Sequence, residues 1–251
     1  MNILFVVEHY FPYVGGAEKL FQAVAEALAA EGNTVTVVTS KYDKTLEKKA
    51  VVNGVQIVRL PTSNRFSFTF FSVPAIVRYA RGADIVHTTT YNAALPAWLG
   101  AKIVKKPVVV TFHELWGGLW KTLPYLSFIE RKAFYLFEKL VANLSFNYFI
   151  AVSKYTQNAL IDSGIKATKI IPIYNGLNYE KYAAFSRNKK KDSPFTITYF
   201  GRLGVSKGLN LILPAAARFL KKYPDSRFQL IIPKTPESLF SIIQNIIEEL
   251  N

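Results

Sequence analysis

Cysteine is absent from the 251 residues, methionine occurs once and histidine three times. Without thiols there is no disulfide and no thiolate metal site, a composition suited to a reducing compartment such as the cytoplasm. No apolar run reaches eighteen residues, so no transmembrane helix is expected. The opening Met1-Asn2-Ile3-Leu4-Phe5-Val6-Val7-Glu8 lacks the basic lead and small-residue cleavage site of a signal peptide, and reads as a first strand. Acidic residues are scarce: 17 Asp and Glu face 31 Lys and Arg, a net charge of +14. Such an excess attracts something anionic, and the candidates are nucleic acid, a sugar nucleotide or an anionic membrane surface. No zinc-finger spacing, basic-zipper heptad or ribonucleoprotein-type aromatic motif appears, so nucleic acid is not the expected partner.

What is present is apolar and periodic. Half the residues are hydrophobic, enough for one large or two modest cores. Strands are expected at Asn2–Val7, Thr34–Thr39, Val55–Leu60, Asp84–Thr88, Pro107–Phe112, Asn147–Val152 and Lys169–Ile173. Between most of them lie amphipathic segments, Ala17–Ala30, Pro74–Ala80, Ala93–Ile103, Leu126–Leu144 and Lys154–Ser163. This alternation predicts a doubly wound, mostly parallel α/β sheet. Ligands of such sheets bind beyond the carboxyl ends of the strands, at a topological switch point.

That rule selects a few places. After the first strand, Gly15-Gly16 opens a helix whose amides can face a ligand; a plain tight turn explains the pair equally well. The Gly-x-Gly-x-x-Gly fingerprint is absent, which argues against a dinucleotide. At the end of the fourth strand lies His87, read more readily as a packed histidine, and after it come Tyr91 and Asn92. After the fifth comes His113, delivered to the crevice by Thr111-Phe112. The helix Leu126–Leu144 mixes Phe128, Phe134, Tyr135 and Phe137 with Arg131, Lys132 and Lys139, a pattern that fits a membrane surface or a packed core face. Arg65–Phe71 has alternating phenylalanines and reads as a strand or an interfacial loop. Asn175-Gly176 suits a turn with positive φ, and Arg187–Asp192 reads as a solvated linker. Beyond it, a strand at Phe195–Phe200 runs into Gly201-Arg202-Leu203-Gly204-Val205-Ser206-Lys207-Gly208, then a helix over Leu209–Tyr223. Strand, glycine-rich turn and helix start form an anion site to which Arg202 and Lys207 add two cations. Phe228–Ile232 and Glu237–Leu250 read as one more strand and helix.

Phe200-Gly201-Arg202-Leu203 followed by Ser206-Lys207-Gly208 resembles the signature of retaining glycosyltransferases of family 4, which have the GT-B fold. Tyr10-Phe11-Pro12, Gly15-Gly16-Ala17-Glu18, Thr111-Phe112-His113, Val152-Ser153 and Ile171-Pro172 with Asn175-Gly176 occur in that family's order. The resemblance implies that Arg202 and Lys207 hold the donor diphosphate, with Gly15 and Gly16 at its mouth. It implies His113 as the catalytic-site contact to the donor sugar, His87, Tyr91 and Asn92 as candidate acceptor contacts, and Asn175-Gly176 as the hinge. It divides the chain into an acceptor-side Rossmann-like domain over 1–174, a linker over 175–194 and the first part of a donor-side domain over 195–251. No Asp-x-Asp pair occurs, so no metal site and no cofactor is assigned; the donor is a UDP-, GDP- or ADP-sugar.

The resemblance breaks down after Lys207. Pro233-Lys234-Thr235-Pro236 stands where the family has a glycine-rich turn, and no Glu-x7-Glu motif follows. In the family those acids bind ribose and donor sugar. The expected fold is therefore GT-B-type with an incomplete second Rossmann-like domain. The implied activity is retaining hexose transfer to a carbohydrate or lipid-linked acceptor, weak or lost in this chain alone, on a cytoplasmic protein peripheral to the inner face of a membrane. The alternative is a non-catalytic binding or assembly subunit completed by a partner chain or a second copy.

Overall fold

A run such as Val108–Phe112, buried at every residue, can be solvated on neither face, so it requires a sheet covered on both sides. In the computed structural model that sheet has eight strands. They are β1 (Asn2–Val6), β2 (Thr34–Ser40), β3 (Lys49–Val52), β4 (Val55–Leu60), β5 (Ile85–Thr89), β6 (Val108–Phe112), β7 (Tyr148–Ala151) and β8 (Ile170–Pro172). Their order is β3-β4-β2-β1-β5-β6-β7-β8, all parallel except β3, which pairs antiparallel with β4. The structure describes residues 1–62, 64–176, 194–204 and 206–250. The expected linker Arg187–Asp192 lies outside them. The chain divides into two units, Met1–Gly118 with Ala133–Leu177, and Leu119–Lys132 with Asn178–Asn251.

Alternation along each strand sends successive side chains to opposite faces. Ile3, Phe5 and Val7 pack beneath α1 (Gly16–Ala30) with its Phe21 and Ala25. Leu4 and Val6 pack on the other face, where α3 (Val73–Ala80), α4 (Ala94–Ile103) and α6 (Lys154–Asp162) contribute Ile76, Ala97 and Leu160. The helix α5 (Phe128–Ala142) adds Val141 to the same cluster.

Three expectations are corrected. Arg65–Phe71 is neither a strand nor a loop but the helix α2. Asn64 Oδ1 accepts from the Ser67 amide at 2.9 Å, and Ser67 Oγ accepts from the Asn64 amide at 3.2 Å. This reciprocal cap satisfies two amides and outweighs the alternating phenylalanines. Phe68 then turns into the core, while Phe66, Phe70 and Phe71 are 61%, 67% and 75% exposed. Strand β3 has no counterpart among the expected strands; it forms a hairpin with β4 through Asn53-Gly54, both at positive φ. Asn175 and Gly176 suit positive φ by sequence, yet neither adopts it.

The second unit contains β9 (Thr196–Phe200), α7 (Leu209–Lys222), β10 (Arg227–Ile231) and α8 (Glu237–Leu250). The two strands pair in parallel. Tyr199, Phe228 and Leu230 pack with Leu203, Leu209, Leu213 and Ile243, so both helices serve one face of the ribbon. No helix among the described residues is long and apolar enough to cross a membrane.

Candidate functional site

The strand order reverses at β1: the chain leaves it for β2 and β4 on one side and returns as β5 on the other. Loops diverge there and leave a crevice at the carboxyl ends. Gly15 is extended (φ −160°, ψ 167°), a conformation open to any residue, and Gly16 is not at positive φ either. Backbone angle therefore does not require these glycines, contrary to the reading from sequence. The two differ in surroundings: a Cβ on Gly16 would meet nothing within 4 Å, whereas one on Gly15 would collide with the Glu18 carboxylate, and no side chain caps α1.

Across the crevice, Asn92 Nδ2 donates to Glu8 Oε2 at 2.9 Å, and the Asn92 carbonyl accepts from Thr69 Oγ1 at 2.9 Å. Burial alone would raise the Glu8 carboxyl, but His9, Asn92 and Arg65 together outweigh it and hold the acid below its usual range. Tyr91 is turned toward a second carboxylate. Its hydroxyl donates to Glu138 Oε2 at 2.8 Å, and Glu138 also accepts from the amides of Trp116 (2.9 Å) and Gly117 (2.7 Å). Glu138 is only 2% exposed. A buried carboxylate is tolerated when several donors replace its water, and three do so here. Burial and the Glu138 charge push the Tyr91 phenol far above its usual range, so it remains a donor.

His113 follows β6, and its ring lies 6.0 Å from that of Phe21. Its carbonyl accepts weakly from Thr156 Oγ1 at 3.4 Å. Burial lowers its pKa, which keeps the imidazole neutral, and its Nε2 is buried without a hydrogen-bond partner. One ring nitrogen is thus available to a ligand that enters. His87 is different. Its ring is 5.0 Å from Phe5 and 5.5 Å from Phe21, and Nε2 lies 2.8 Å from Thr111 Oγ1. Burial, with a contribution from His113, pushes its pKa down to about 4. These contacts account for His87 as a packed residue.

In the second unit, Gly201 (φ 158°) follows β9 and its amide donates to the Ile231 carbonyl at 3.1 Å. Leu203 anchors the turn in the core, and Gly208 (φ 67°) opens α7 with no side-chain cap. Leu211 and Ile212 donate to the Gly208 carbonyl, the first bonds of the helix. Arg202 and Lys207 are exposed, and among the described residues neither side chain has a hydrogen-bond or ion-pair partner. Both cations precede an uncapped helix start in the chain, Lys207 by two residues and Arg202 by seven, and cations and free helix amides each attract an anion.

Gly16, Tyr91, Asn92 and His113 follow the carboxyl ends of β1, β5 and β6, which are neighbours in the sheet, while Arg202 and Lys207 belong to one turn of the second unit. Glu8 and Glu138 have no role in the sequence reading. Glu138 does carry a signal, since it interrupts the apolar stripe of Phe134, Phe137 and Val141. A cavity of about 400 Å³ opens beside it, between the Leu115–Gly118 loop, α5 and α6, and none of the candidate site residues read from sequence lines it.

A model of Glycosyltransferase Family 4 matches residues 14–181. A GDP-mannose:cellobiosyl-diphosphopolyprenol alpha-mannosyltransferase from Xanthomonas oryzae is 28% identical over 239 residues, 92% of this chain and 60% of that protein. A human phosphatidylinositol N-acetylglucosaminyltransferase subunit is 25% identical over 240 residues, 90% of this chain and 47% of that protein. The chain thus spans 60% and 47% of the length of these two relatives. Among solved structures, a sucrose-phosphate synthase from Thermosynechococcus elongatus superposes with a TM-score of 0.75 at 20% identity, covering 100% of this chain and 68% of that one. Anabaena HepE in complex with UDP-glucose gives 0.69 at 18% identity, covering 100% and 66%. These likenesses bear on fold, which is α/β of the GT-B type.

Removing the buried carboxylate is the direct test of the rim. Glu138→Ala takes the acceptor from two backbone amides and leaves Tyr91 only its longer bond to the Glu114 carbonyl at 3.3 Å; it should cost about 2–4 kcal/mol, while Glu138→Gln, which keeps one acceptor oxygen, costs less. Urea unfolding measures both, and a cycle with Tyr91→Phe should reveal coupling; additivity would mean that the network is not cooperative. Stability should also depend on pH through the histidines. His87 is neutral when folded and titrates near its ordinary value when unfolded, so its contribution is complete above about pH 6.5 and is lost as pH falls toward about 4. The loss should reach about 3 kcal/mol, with His113 acting in the same direction. His87→Asn should flatten that part of the stability profile; an unchanged profile would contradict the assignment.

Proposed function

This chain belongs to Glycosyltransferase Family 4, and on that premise we propose that it binds a sugar nucleotide and serves retaining transfer of a hexose to a lipid-linked carbohydrate or lipid acceptor. The observation that carries the reading is the turn between β9 and α7, where Arg202 and Lys207, without partners among the described residues, stand beside an uncapped helix start. In the transfer, the bond from the anomeric carbon to the diphosphate oxygen breaks, the acceptor oxygen takes its place, and the acceptor's proton passes to the departing diphosphate. Charge accumulates on the departing diphosphate. Two cations and the first amides of α7, fixed before the reaction begins, stabilise that charge more than they stabilise the intact donor. His113, neutral and with Nε2 unpartnered, offers one hydrogen bond to a sugar hydroxyl. Asn92 and Tyr91 border the acceptor side, and Asn175-Gly176 is the hinge.

The relatives' names support a lipidic acceptor, since one acts on a diphosphopolyprenol and another on phosphatidylinositol. Their donors differ, so the base and the sugar are left open. The exposed Phe66, Phe70 and Phe71 of α2, with Arg65 at its start, extend the reading to a cytoplasmic protein resting peripherally on an anionic membrane. A second reading, in which a partner chain completes this one within an assembly, draws on the names of several relatives, which are those of complex components.

Calorimetric titration with UDP, GDP and their hexose conjugates tests the first reading. Saturable binding is expected for at least one ligand, with Arg202→Ala and Lys207→Ala each weakening it about 10- to 100-fold. No heat from a folded chain would withdraw the claim of donor binding. Co-sedimentation with phosphatidylglycerol vesicles tests the membrane contact. Phe70→Ser with Phe71→Ser should reduce binding about tenfold or more while nucleotide binding persists; equal sedimentation of variant and parent would refute α2 as the contact.

A further inference from the structure

Beyond the carboxyl ends of β1 and β2 stand three aromatic rings that the reading above does not use. His9 lies face to face with Tyr13, their centroids 4.3 Å apart and their planes 13° from parallel. Tyr42 meets both edge-on, at 5.8 Å from His9 and 5.2 Å from Tyr13. His9 is held at both nitrogens: Nδ1 is 3.2 Å from Ser40 Oγ and Nε2 is 3.4 Å from the Glu8 carboxylate. Ser40 is itself fixed by donating to the Glu8 carbonyl at 2.6 Å. The buried Arg59 donates to the carbonyls of Phe11 and Glu47, tying down the loops that carry Tyr13 and Tyr42. Neighbouring Tyr10 shows what a packing tyrosine looks like here: it is 2% exposed and joins the core. His9, Tyr13 and Tyr42 instead remain partly open to solvent.

Aromatic rings held in place and partly open to solvent beside a carboxylate and an amide match the chemistry of a pyranose. Its C–H face rests on the rings, and its hydroxyls find an acceptor and a donor at the rim. Glu8 Oε2 accepts from Asn92 and Oε1 lies 3.4 Å from His9 Nε2, but an ionised carboxylate has about four lone-pair positions, so capacity is left for sugar hydroxyls. We propose that His9, Tyr13 and Tyr42 form a sugar-stacking subsite for the acceptor glycan, with Glu8 and Asn92 bonding its hydroxyls. Only its assignment to the acceptor rests on the transferase reading; the subsite itself would bind a saccharide without any nucleotide.

Saturation-transfer difference NMR on the whole chain tests this, with the methyl glycosides of glucose, galactose and mannose as probes and sorbitol as the open-chain control. Transfer to the ring protons of at least one glycoside, and not to sorbitol, is expected. Tyr13→Ala and Tyr42→Ala should each weaken binding about tenfold, and Tyr42→Phe should preserve it, at unchanged melting midpoints. No transfer from any glycoside, or transfer indifferent to both alanine variants, would overturn the proposal. A UDP and GDP titration of the same samples separates the two claims. Nucleotide binding without glycoside binding refutes the subsite and leaves the transferase reading standing. Glycoside binding without nucleotide binding supports the subsite and counts against that reading.

Discussion

The strands around β1 are hydrogen-bonded along both edges and covered on both faces, which leaves their polar side chains dependent on partners inside the protein. Those partners exist. Thr88 Oγ1 donates to the Val6 carbonyl at 2.8 Å, and His87 is joined to Thr111. A polar group so satisfied has nothing left to offer a ligand. Unspent capacity begins where the strands end, and Glu8, Asn92 and His113 all lie within a few residues of that limit. The location of the crevice is thus a consequence of how the sheet is buried rather than an independent feature.

Two carboxylates hold the rim of that crevice together, and they do so differently. Glu138 is fully occupied by Tyr91 and two loop amides, which fits a structural clamp joining the β5 and β6 loops to α5. Glu8 has a looser set, one amide and one imidazole, with its side chain 18% exposed. Desolvation of a carboxylate costs several kcal/mol unless donors replace the lost water. By that measure Glu138 is closed to ligands, and Glu8 is still open to them.

Much of this was legible in the sequence, for identifiable reasons. Continuous Val, Ile and Phe runs announced the buried strands, and the turn from Gly201 to Gly208 stood out because its glycines and cations follow a strand and precede a helix. What escaped was governed by contacts that do not show in periodicity. Strand β3 has one half-buried side and one exposed side and begins at Lys49, so its apolar signal is weak; Asn53-Gly54 was the cue that could have revealed it. In α2 the phenylalanine spacing suggested a strand, while the Asn64–Ser67 cap decided for a helix. Glu138 looked like one charge among several on α5 until its three donors, from 21 to 47 residues away, came into view.

The two units prepare for a ligand in opposite ways. Around β1 the groups are neutral or internally bonded and their positions are set by packing, so a sugar would find directional contacts at little cost in ordering. At the start of α7, Arg202 and Lys207 are long, exposed and unconstrained, and binding a phosphate must immobilise both. Such flexible cations contribute chiefly through charge, which acts at a distance and weakens with salt. On the proposed reading, shape selection would reside in the first unit, and the second would supply attraction for an anion with little discrimination of its own. That difference explains why the glycine-rich turn could be read from a short motif, whereas the cluster of His9, Tyr13 and Tyr42 became visible only through distances between side chains.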